Sequence, residues 1–263
     1  MQPTLADLED LARQAGEILR AGFDPRPGYG RRLQVDYKGT IDLVTEMDHR
    51  AEELLIGEIQ RRFPSHRVMA EESGALAGDN CCLWYIDPID GTVNYAHGVP
   101  IFCVSIGYAV DGVVQFGVVY DPIQDECFSA ARGQGAHLND RPVRASAAPD
   151  LDHSLLSTGF PYNIRTTSQN NLDYYARFSL LTQGVRRMGS AALDLCYVAA
   201  GRLDGFWELS LNAWDVAAGA LIASEAGAVV TTVRGDPDVL VPPNSILAAN
   251  PYIHARMLQI LAE

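Results

Sequence analysis

Two apolar runs joined by a two-residue turn constrain the fold of this chain more than any other feature of its sequence. The runs cover residues 101–110 and 113–120, and Asp111-Gly112 lies between them. This dipeptide tolerates positive φ at both central positions of a tight turn, so the runs predict an antiparallel β-hairpin. Residues 126–139 are expected to extend the same sheet with shorter strands. A long hairpin of this kind argues against a parallel, doubly wound sheet.

Helical and strand patterns alternate in blocks along the rest of the chain. Two capping pairs, Thr4 with Asp7 and Thr45 with Asp48, are typical of helix starts. The spacing of apolar residues predicts helices over 4–22, 45–63, 168–182, 190–200, 214–226 and 251–262. Strands are predicted over 67–70, 83–87, 154–158, 203–207 and 229–233. These blocks favour a layered α+β fold with largely antiparallel or mixed sheets.

The stretch 145–152, which is rich in Ala, Ser and Pro, is the expected seam between two halves of the chain. We expect an N-terminal half, residues 1–150, that carries most of the acidic motifs described below. A C-terminal half, residues 151–263, would complete a single site between the two. A chain of 263 residues is long enough to bury a large core in this arrangement.

The composition of the chain argues against some classes of binding partner. The chain has 20 Lys and Arg against 33 Asp and Glu, a net charge of −13, and it has no basic run. This balance argues against nucleic acid as a partner, because nucleic-acid binding needs a basic face. No apolar run is long enough for a membrane span, and acidic residues interrupt residues 1–20, where a signal peptide would lie. Five cysteines without a CxxC pair indicate reduced thiols, so we expect a cytoplasmic protein without membrane contact.

The segment 84–92 carries the strongest chemical signal. An apolar run ends at Asp87, Asp90 follows three residues later, and Gly91-Thr92 comes directly after it. Two carboxylates without a basic residue between them repel each other unless a cation lies there, and oxygen ligands suit Mg²⁺ or Mn²⁺ rather than Zn²⁺. The backbone amides of Gly91 and Thr92 could then face an anion such as phosphate. Taken alone, an Asp-rich turn that caps a helix is the simpler explanation of this segment.

Two more acidic residues stand where elements are expected to start or end. Glu71 follows the apolar run 68–70, and Asp215 stands at the start of the helix predicted over 214–226. Asp215 could be a plain N-cap, but an N-cap aspartate keeps one oxygen free for a metal ion. We therefore predict that these two acids join the segment 84–92 around divalent ions.

Four motifs, which occur along the chain in the family's order, resemble those of the inositol monophosphatase family. The sequence DPIDGT at 87–92 resembles the first family signature, and WDVAAG at 214–219 resembles the second. EES at 71–73, and KGTIDLVT at 38–45 with Asp48, are similar to two further family blocks. These motifs spread over most of the chain, so the chain is identified as a member of that family.

The resemblance implies a fold, an activity and a cofactor. The fold would be a five-layered αβαβα sandwich of the sugar-phosphatase type, commonly assembled as a homodimer. The activity would be hydrolysis of a small phosphorylated polyol or sugar with two or three Mg²⁺ ions, with Mn²⁺ as an alternative metal and Li⁺ as an inhibitor. No covalent phosphoenzyme is then needed, because metal ions and positioning catalyse phosphoryl transfer.

The metal ligands of the family correspond to acidic residues of this chain. The first ion would be held by Glu71, Asp87 and the backbone carbonyl of Ile89. The second would be held by Asp87, Asp90 and Asp215. Glu71 would also lie near a looser third site.

The resemblance also assigns catalytic and phosphate-binding roles. Thr92 and Asp48 would orient and deprotonate the attacking water, with Glu71 as a further catalytic residue. The amides of Gly91 and Thr92 would bind the phosphate group.

Contacts with the rest of the substrate are implied at two places. Gly189, Ser190 and Ala191 stand at a predicted helix start and match positions that contact sugar hydroxyls in the family. Glu208 matches a carboxylate that accepts hydrogen bonds from hydroxyls, and a solvated acid at a strand end is the alternative. Asp215 would also lie near the substrate.

Three further residues are weaker candidates for the site. Lys38 either balances the charge of the carboxylates or is an ordinary surface lysine. Glu72 follows Glu71 directly. Asn212 occupies a position that varies between relatives with different substrates.

The sequence leaves more than one function open. Hydrolysis of myo-inositol monophosphate is the leading prediction. The alternative within the class is a sister phosphatase acting on fructose 1,6-bisphosphate, histidinol phosphate or a 3′-phosphoadenosine nucleotide. A regulatory binding protein of the same fold is an alternative from another class, and a protein that only binds metal is a third.

Overall fold

Two large sheets and a short two-stranded ribbon form the frame of the molecule. The structure is a computed structural model that describes residues 2–24, 35–37 and 43–263. Within these residues the helices are α1 (Leu5–Gly22), α2 (Glu46–Arg62), α3 (Thr92–Ala96), α4 (Leu172–Leu181), α5 (Ala191–Ala199), α6 (Ala213–Glu225) and α7 (His254–Ala262). None of these helices is both long and apolar enough to cross a membrane. The strands are β1 (Val35–Tyr37), β2 (Leu43–Thr45), β3 (His66–Ala70), β4 (Gly74–Leu76), β5 (Asp79–Asp90), β6 (Cys103–Val110), β7 (Val113–Asp121), β8 (Glu126–Ala131), β9 (Ala136–Leu138), β10 (Arg141–Val143), β11 (Leu155–Thr158), β12 (Gly184–Arg186), β13 (Gly205–Leu211), β14 (Val229–Thr231) and β15 (Asn244–Ala249).

Both large sheets are mixed. The first has the strand order β10-β9-β8-β7-β6-β5-β3-β4, and only β3 and β5 run parallel in it. The second has the order β12-β11-β13-β15-β14, in which β11 runs parallel to both of its neighbours. The predicted layered α+β fold is therefore confirmed. The predicted hairpin is also present, with φ of 50° at Asp111 and 79° at Gly112.

Alternate residues of each sheet face different cores, and this stacks the molecule in five layers. In β5, Trp84 and Ile86 pack against α1 and α2, whereas Tyr85 faces the middle core with α5 and α6. In β13, Phe206 faces the middle core and Trp207 faces the third core, which α4 and α7 cover. Because strand side chains alternate with a period of two, each sheet can contact helices on both faces. The expected αβαβα sandwich is confirmed.

Some strands have no clear signal in the sequence. β15 lies in the second sheet between β13 and β14, but its apolar run is short and follows Pro242-Pro243, which is typical of a loop. β4, β10 and β12 have only three residues each, so pairing with a neighbour defines them. β5 begins at Asp79 and β13 continues to Leu211, both beyond their predicted ends. Tertiary pairing therefore extends strands that local patterns underestimate.

The predicted seam at 145–152 falls between the two sheets, since β10 ends at Val143 and β11 begins at Leu155. α5 and α6 fill the core between both sheets. The division into halves 1–150 and 151–263 therefore stays a prediction.

Two glycines allow α6 to lie close against the first sheet. Gly107 of β6 and Gly117 of β7 are register partners. A Cβ at position 117 would lie 2.8 Å from the carbonyl oxygen of Ala218, and one at position 107 would lie 3.0 Å from the Cβ of Ala217. Both neighbours belong to α6, so larger residues would push this helix away from the sheet. The close approach brings the start of α6, which carries Asp215, toward the end of β5.

We expect Gly117→Ala to destabilise the protein, because the backbone of α6 has no room for the added methyl group. The free energy of unfolding should fall by roughly 1–3 kcal/mol, measured by urea denaturation. Gly57→Ala is the control, because a Cβ at this exposed position of α2 meets no atom within 4 Å. That variant should gain roughly 0.5–1 kcal/mol from better helix propensity. Equal stability of Gly117→Ala and the parent would contradict the close packing of α6.

Candidate active site

Parallel pairing of β3 with β5 brings two predicted metal ligands to the same sheet edge. Ala70 is the register partner of Ile86, and each is followed directly by an acid, Glu71 after Ala70 and Asp87 after Ile86. The Glu71 amide donates to the Ile86 carbonyl at 3.3 Å, which holds this alignment. The carboxyl groups of Glu71 and Asp87 interact directly.

A bulge in β5 separates Asp87 from Asp90. The register with β6 shifts between these residues, so that three steps on β5 match two on β6. Pro88 lies in the bulge, where its lack of an N–H costs no ladder hydrogen bond. The Ile89 amide donates to Asp87 Oδ1 at 3.0 Å. This turn aims Asp87 and Asp90, and the backbone around Ile89, into one cavity.

The carboxylate of Asp90 holds the start of α5. It accepts hydrogen bonds from Ser190 Oγ at 2.6 Å and from the amides of Ala191 at 3.3 Å and Ala192 at 2.7 Å. These residues include two of the predicted substrate contacts, which therefore lie beside a predicted metal ligand. Gly189 directly precedes them with φ of 85°.

Asp215 lies in the first turn of α6 rather than at its N-cap. Asn212 is the N-cap, and its backbone amide donates to Asp215 Oδ2 at 2.6 Å in a capping box. The alternative of a plain N-cap aspartate is therefore wrong, because the helix begins two residues before Asp215. The chemical consequence is unchanged, since the capping bond engages a single oxygen of the carboxyl group.

The four acids influence each other strongly. Burial raises the pKa of Asp87 well above its usual value, and repulsion from Glu71 and then from Asp90 and Asp215 adds to the rise. Burial also raises the pKa of Asp90, although hydrogen bonds at the start of α5 oppose the shift. The pKa of Asp215 is raised well above its usual value, first by burial and then by repulsion from Asp90 and Glu71.

These acids fit a hard divalent cation. All the ligand atoms are oxygens, the main electrostatic effects on Asp87 within the described residues come from other acids, and a cation would remove their mutual repulsion. In the part of the chain that the structure describes, no group of three or more His, Cys, Asp or Glu side chains is arranged to hold a metal ion as it stands. Asp90 and Asp215 instead accept hydrogen bonds from backbone amides at the starts of α5 and α6.

Thr92 and Asp48, which the sequence predicts as a pair, are in contact. Thr92 Oγ1 lies 3.1 Å from Asp48 Oδ1 and 2.9 Å from the Ile89 carbonyl, and its single hydrogen can serve one of them at a time. The other oxygen of Asp48 accepts from the Thr45 amide and hydroxyl at 2.7 and 2.6 Å. Burial raises the pKa of Asp48 to about 6, against the opposing effect of the Thr45 hydrogen bonds.

Gly91 is required where it stands. Its φ is 107°, and a Cβ would lie 2.9 Å from the Ile101 carbonyl oxygen. Only glycine adopts this conformation readily. Gly91 thus turns the chain from β5 into α3 and presents Thr92 toward the cavity.

One cavity of about 330 Å³ collects most of the predicted residues. Its lining includes Glu71, Asp87, Ile89, Asp90, Gly91, Thr92, Gly189, Ser190, Ala191, Glu208, Asn212 and Asp215. Asp48 lies behind Thr92 and does not line it. The Glu72 amide donates to Glu52 Oε2 at 2.9 Å, outside the cavity lining. Lys38 lies outside the described residues.

Glu208 is buried and not a solvated acid at a strand end. Only 8% of its surface is exposed, and the strand continues beyond it to Leu211 with a shift in register. Burial raises its pKa well above the usual value, repulsion from Asp215 and Asp194 adds to this, and the Arg187 guanidinium opposes it. The alternative of a surface acid is therefore wrong.

Several cavity residues have no counterpart in the sequence predictions. They are Arg187, Asp194, Val93, Asn94, Ser210, Leu211 and the segment 159–163. One sequence signal could have indicated Asp194 as a site residue, because it is the only charged residue of the helix α5. It is buried, and its Oδ1 atom has no hydrogen-bond partner within the described residues. The segment 159–163 follows β11, whose parallel neighbour β13 carries Glu208.

A five-layered αβαβα sandwich with acids gathered around one cavity indicates a metal-dependent phosphatase. The chain belongs to the inositol monophosphatase family, whose model matches residues 1–263. The family assignment made from the motifs is therefore confirmed.

Individual relatives agree with this assignment. The chain is 46% identical to an inositol-1-monophosphatase of Synechocystis sp., over 98% of this chain and 90% of that protein. It is 43% identical to Nus factor SuhB of Pasteurella multocida, over 95% of this chain and 92% of that protein. The structure of an inositol monophosphatase from Anabaena has a TM-score of 0.85 and 44% identity, and covers 96% of this chain and 92% of that chain.

Replacing Asp194 should change how stability depends on pH. Burial raises the pKa of this carboxyl well above its usual value, so the folded state resists its ionisation. The contribution of Asp194 to stability is complete below its pKa in the unfolded chain, about 3.9. This contribution is lost as pH rises toward the higher pKa of Asp194 in the folded state. Asp194→Asn removes this loss. Without divalent ions, the variant should match the parent most closely near pH 4 and gain roughly 1–3 kcal/mol over it at neutral pH.

Urea denaturation at several pH values measures this difference. Asp152→Asn, at an exposed position, is the control and should follow the parent at every pH. A constant difference between Asp194→Asn and the parent across pH would contradict a raised pKa at this site.

Proposed function

We propose that this chain is a Mg²⁺-dependent phosphatase that hydrolyses a small phosphorylated polyol, with myo-inositol monophosphate as its preferred substrate. Family membership supports the phosphatase class. The single observation that supports this site most directly is that Glu71, Asp87, Asp90 and Asp215 line one cavity, where repulsion from the other three acids helps to raise the pKa of Asp87. Clustered acids of this kind are typical of sites that bind a divalent cation, because the cation neutralises their charge.

The cation ligands would be shared between the acids. Glu71, Asp87 and the Ile89 carbonyl would hold one ion, and Asp87, Asp90 and Asp215 would hold another. A bound divalent ion supplies positive charge that offsets the phosphate and makes a nearby water more acidic.

Thr92 and Asp48 would take up the proton of the attacking water. Thr92 Oγ1 can receive that proton while its own hydrogen moves to Asp48 Oδ1, which is 3.1 Å away. Because burial raises the pKa of Asp48 to about 6, this carboxylate is ionised at neutral pH and is a stronger base than an ordinary aspartate. The bond from Thr45 keeps Asp48 in place.

The far side of the cavity would bind the polyol. Glu208 and Asp215 supply carboxylate oxygens there, and hydroxyl groups are the matching donors. A cavity of about 330 Å³ is at the small end of the range for small-molecule sites. This size favours a compact monoester over a nucleotide.

Asp87→Asn provides a direct test, because the amide keeps the Oδ1 acceptor for Ile89 but loses the charge. Phosphate release by the parent should require Mg²⁺ and be fastest with myo-inositol monophosphate, in a panel with fructose 1,6-bisphosphate, histidinol phosphate and a 3′-phosphoadenosine nucleotide. The variant should lose at least about 10²-fold in kcat/KM, since a metal contributes several kcal/mol of transition-state stabilisation. Its melting temperature without divalent ions should rise, because repulsion is relieved.

Asp121→Asn is a matched control. Asp121 is also buried and followed by a proline, and its Oδ1 accepts from the Ile123 amide at 2.8 Å, but it lies outside the cavity lining. It should leave Mg²⁺-dependent turnover unchanged. Turnover by Asp87→Asn at the parental rate would refute the cation site, and preference for another panel member would refute the inositol substrate alone.

A second candidate function is regulatory binding without turnover. It is favoured by a relative, 43% identical, that is named Nus factor SuhB. If this function applies, parent and Asp87→Asn protein should retain the same protein partner in pull-down experiments, because binding needs no turnover. Loss of partner together with loss of turnover would contradict it. The net charge of −13 makes RNA an unsuitable direct partner.

A further inference from the structure

The carboxylate of Glu208 occupies space that exists only because its neighbour is glycine. The carboxyl atoms of Glu208 are the nearest atoms to the position that a Cβ of Gly159 would take, and they lie far too close for both to fit. Gly159 does not adopt positive φ, so backbone conformation does not require glycine here. The missing side chain is what makes room for the carboxylate.

Strand pairing explains why these two residues meet. Thr158 of β11 is the register partner of Trp207 in the parallel strand β13. Gly159 and Glu208 directly follow these two partners in the chain, and both line the cavity.

A buried hydrogen-bond network locks this arrangement. Asn171 Nδ2 donates to the Gly159 carbonyl at 2.6 Å and to Thr158 Oγ1 at 2.8 Å. Asn171 Oδ1 accepts from the Trp207 indole at 2.7 Å. Thr158 Oγ1 in turn donates to the Trp207 carbonyl at 2.6 Å. The network therefore fixes the backbone on both sides of the Glu208 carboxylate.

The Glu208 carboxylate faces the cavity and accepts no hydrogen bond from the described residues, although Arg187 acts on it electrostatically. A buried carboxylate without donors is costly. Hydroxyl groups of a bound substrate can supply the donors, provided that the carboxylate stays where they reach it.

We propose that Gly159 and Asn171 are positioning residues that fix the Glu208 carboxylate and so determine the preference for substrates with hydroxyl groups. This inference rests on the proposed phosphatase function. It extends the site to two residues outside the predicted phosphate and cation contacts.

Gly159→Ala tests the inference, because the added methyl group must displace the Glu208 carboxylate. Kinetics with Mg²⁺ should be compared for myo-inositol monophosphate and for phenyl phosphate, which has no hydroxyl groups. We expect kcat/KM for the inositol substrate to fall at least about tenfold more than for phenyl phosphate, as when a hydrogen bond to a charged group is lost. The larger change should be in KM. Equal losses with both substrates would refute the proposal.

A double-mutant cycle separates positioning from a general structural effect. Glu208→Ala removes the carboxylate and should reduce the same substrate preference. Adding Gly159→Ala to Glu208→Ala should cause no further change in preference, because no carboxylate remains to be displaced. A further loss of preference in the double variant would contradict action through Glu208.

Asn171→Gly is the second variant, and it covers the case in which Gly159→Ala does not fold. Glycine tolerates the φ of 69° at this position but removes the amide that binds Gly159 and Trp207. The same selective loss with myo-inositol monophosphate is expected, and unchanged preference would refute the role of Asn171. If the parent hydrolyses neither substrate with Mg²⁺, the proposed function itself fails. Hydrolysis without the expected shift in preference refutes this inference alone.

Discussion

Repulsion among four clustered carboxylates is the constraint on which the site depends. Glu71, Asp87, Asp90 and Asp215 reach one cavity from β3, β5 and α6. Such charges are costly to bring together unless hydrogen bonds or a cation stabilise them. The protein offsets part of this cost itself, since Asp90 and Asp215 accept hydrogen bonds at helix starts. The charge that remains is what a divalent cation would neutralise.

The four acids meet because the backbone geometry of the elements that carry them brings them together. Parallel register places Glu71, which follows β3, beside Asp87 of β5, and a bulge turns Asp90 toward the start of α5. Gly107 and Gly117 let α6 approach the sheet closely enough to bring Asp215 to the same place. The fold and the candidate site are therefore determined by the same contacts, and a change in the packing of α6 against the sheet would also move a proposed cation ligand.

Much of the fold and of the candidate site could be predicted from local sequence patterns. The capping boxes at Thr4 and Thr45, the hairpin at Asp111 and the segment 87–92 are local patterns with a direct physical reading, and the structure contains each of them. What could not be predicted depends on distant contacts. The burial of Glu208 follows from pairing of β13 with β11 and β15, which no local pattern reveals. The same is true of β15 itself.

The middle layer also affects the electrostatics of the cavity. Both of its helices, α5 and α6, begin at the cavity and run away from it. The first turn of a helix has amides that point outward and carries about half a positive charge from the aligned peptide dipoles. The N-termini of α5 and α6 therefore place a partial positive charge beside the acids. Asp194 and Asp215 stand in these first turns, where the partial positive charge of the helix favours their ionised form.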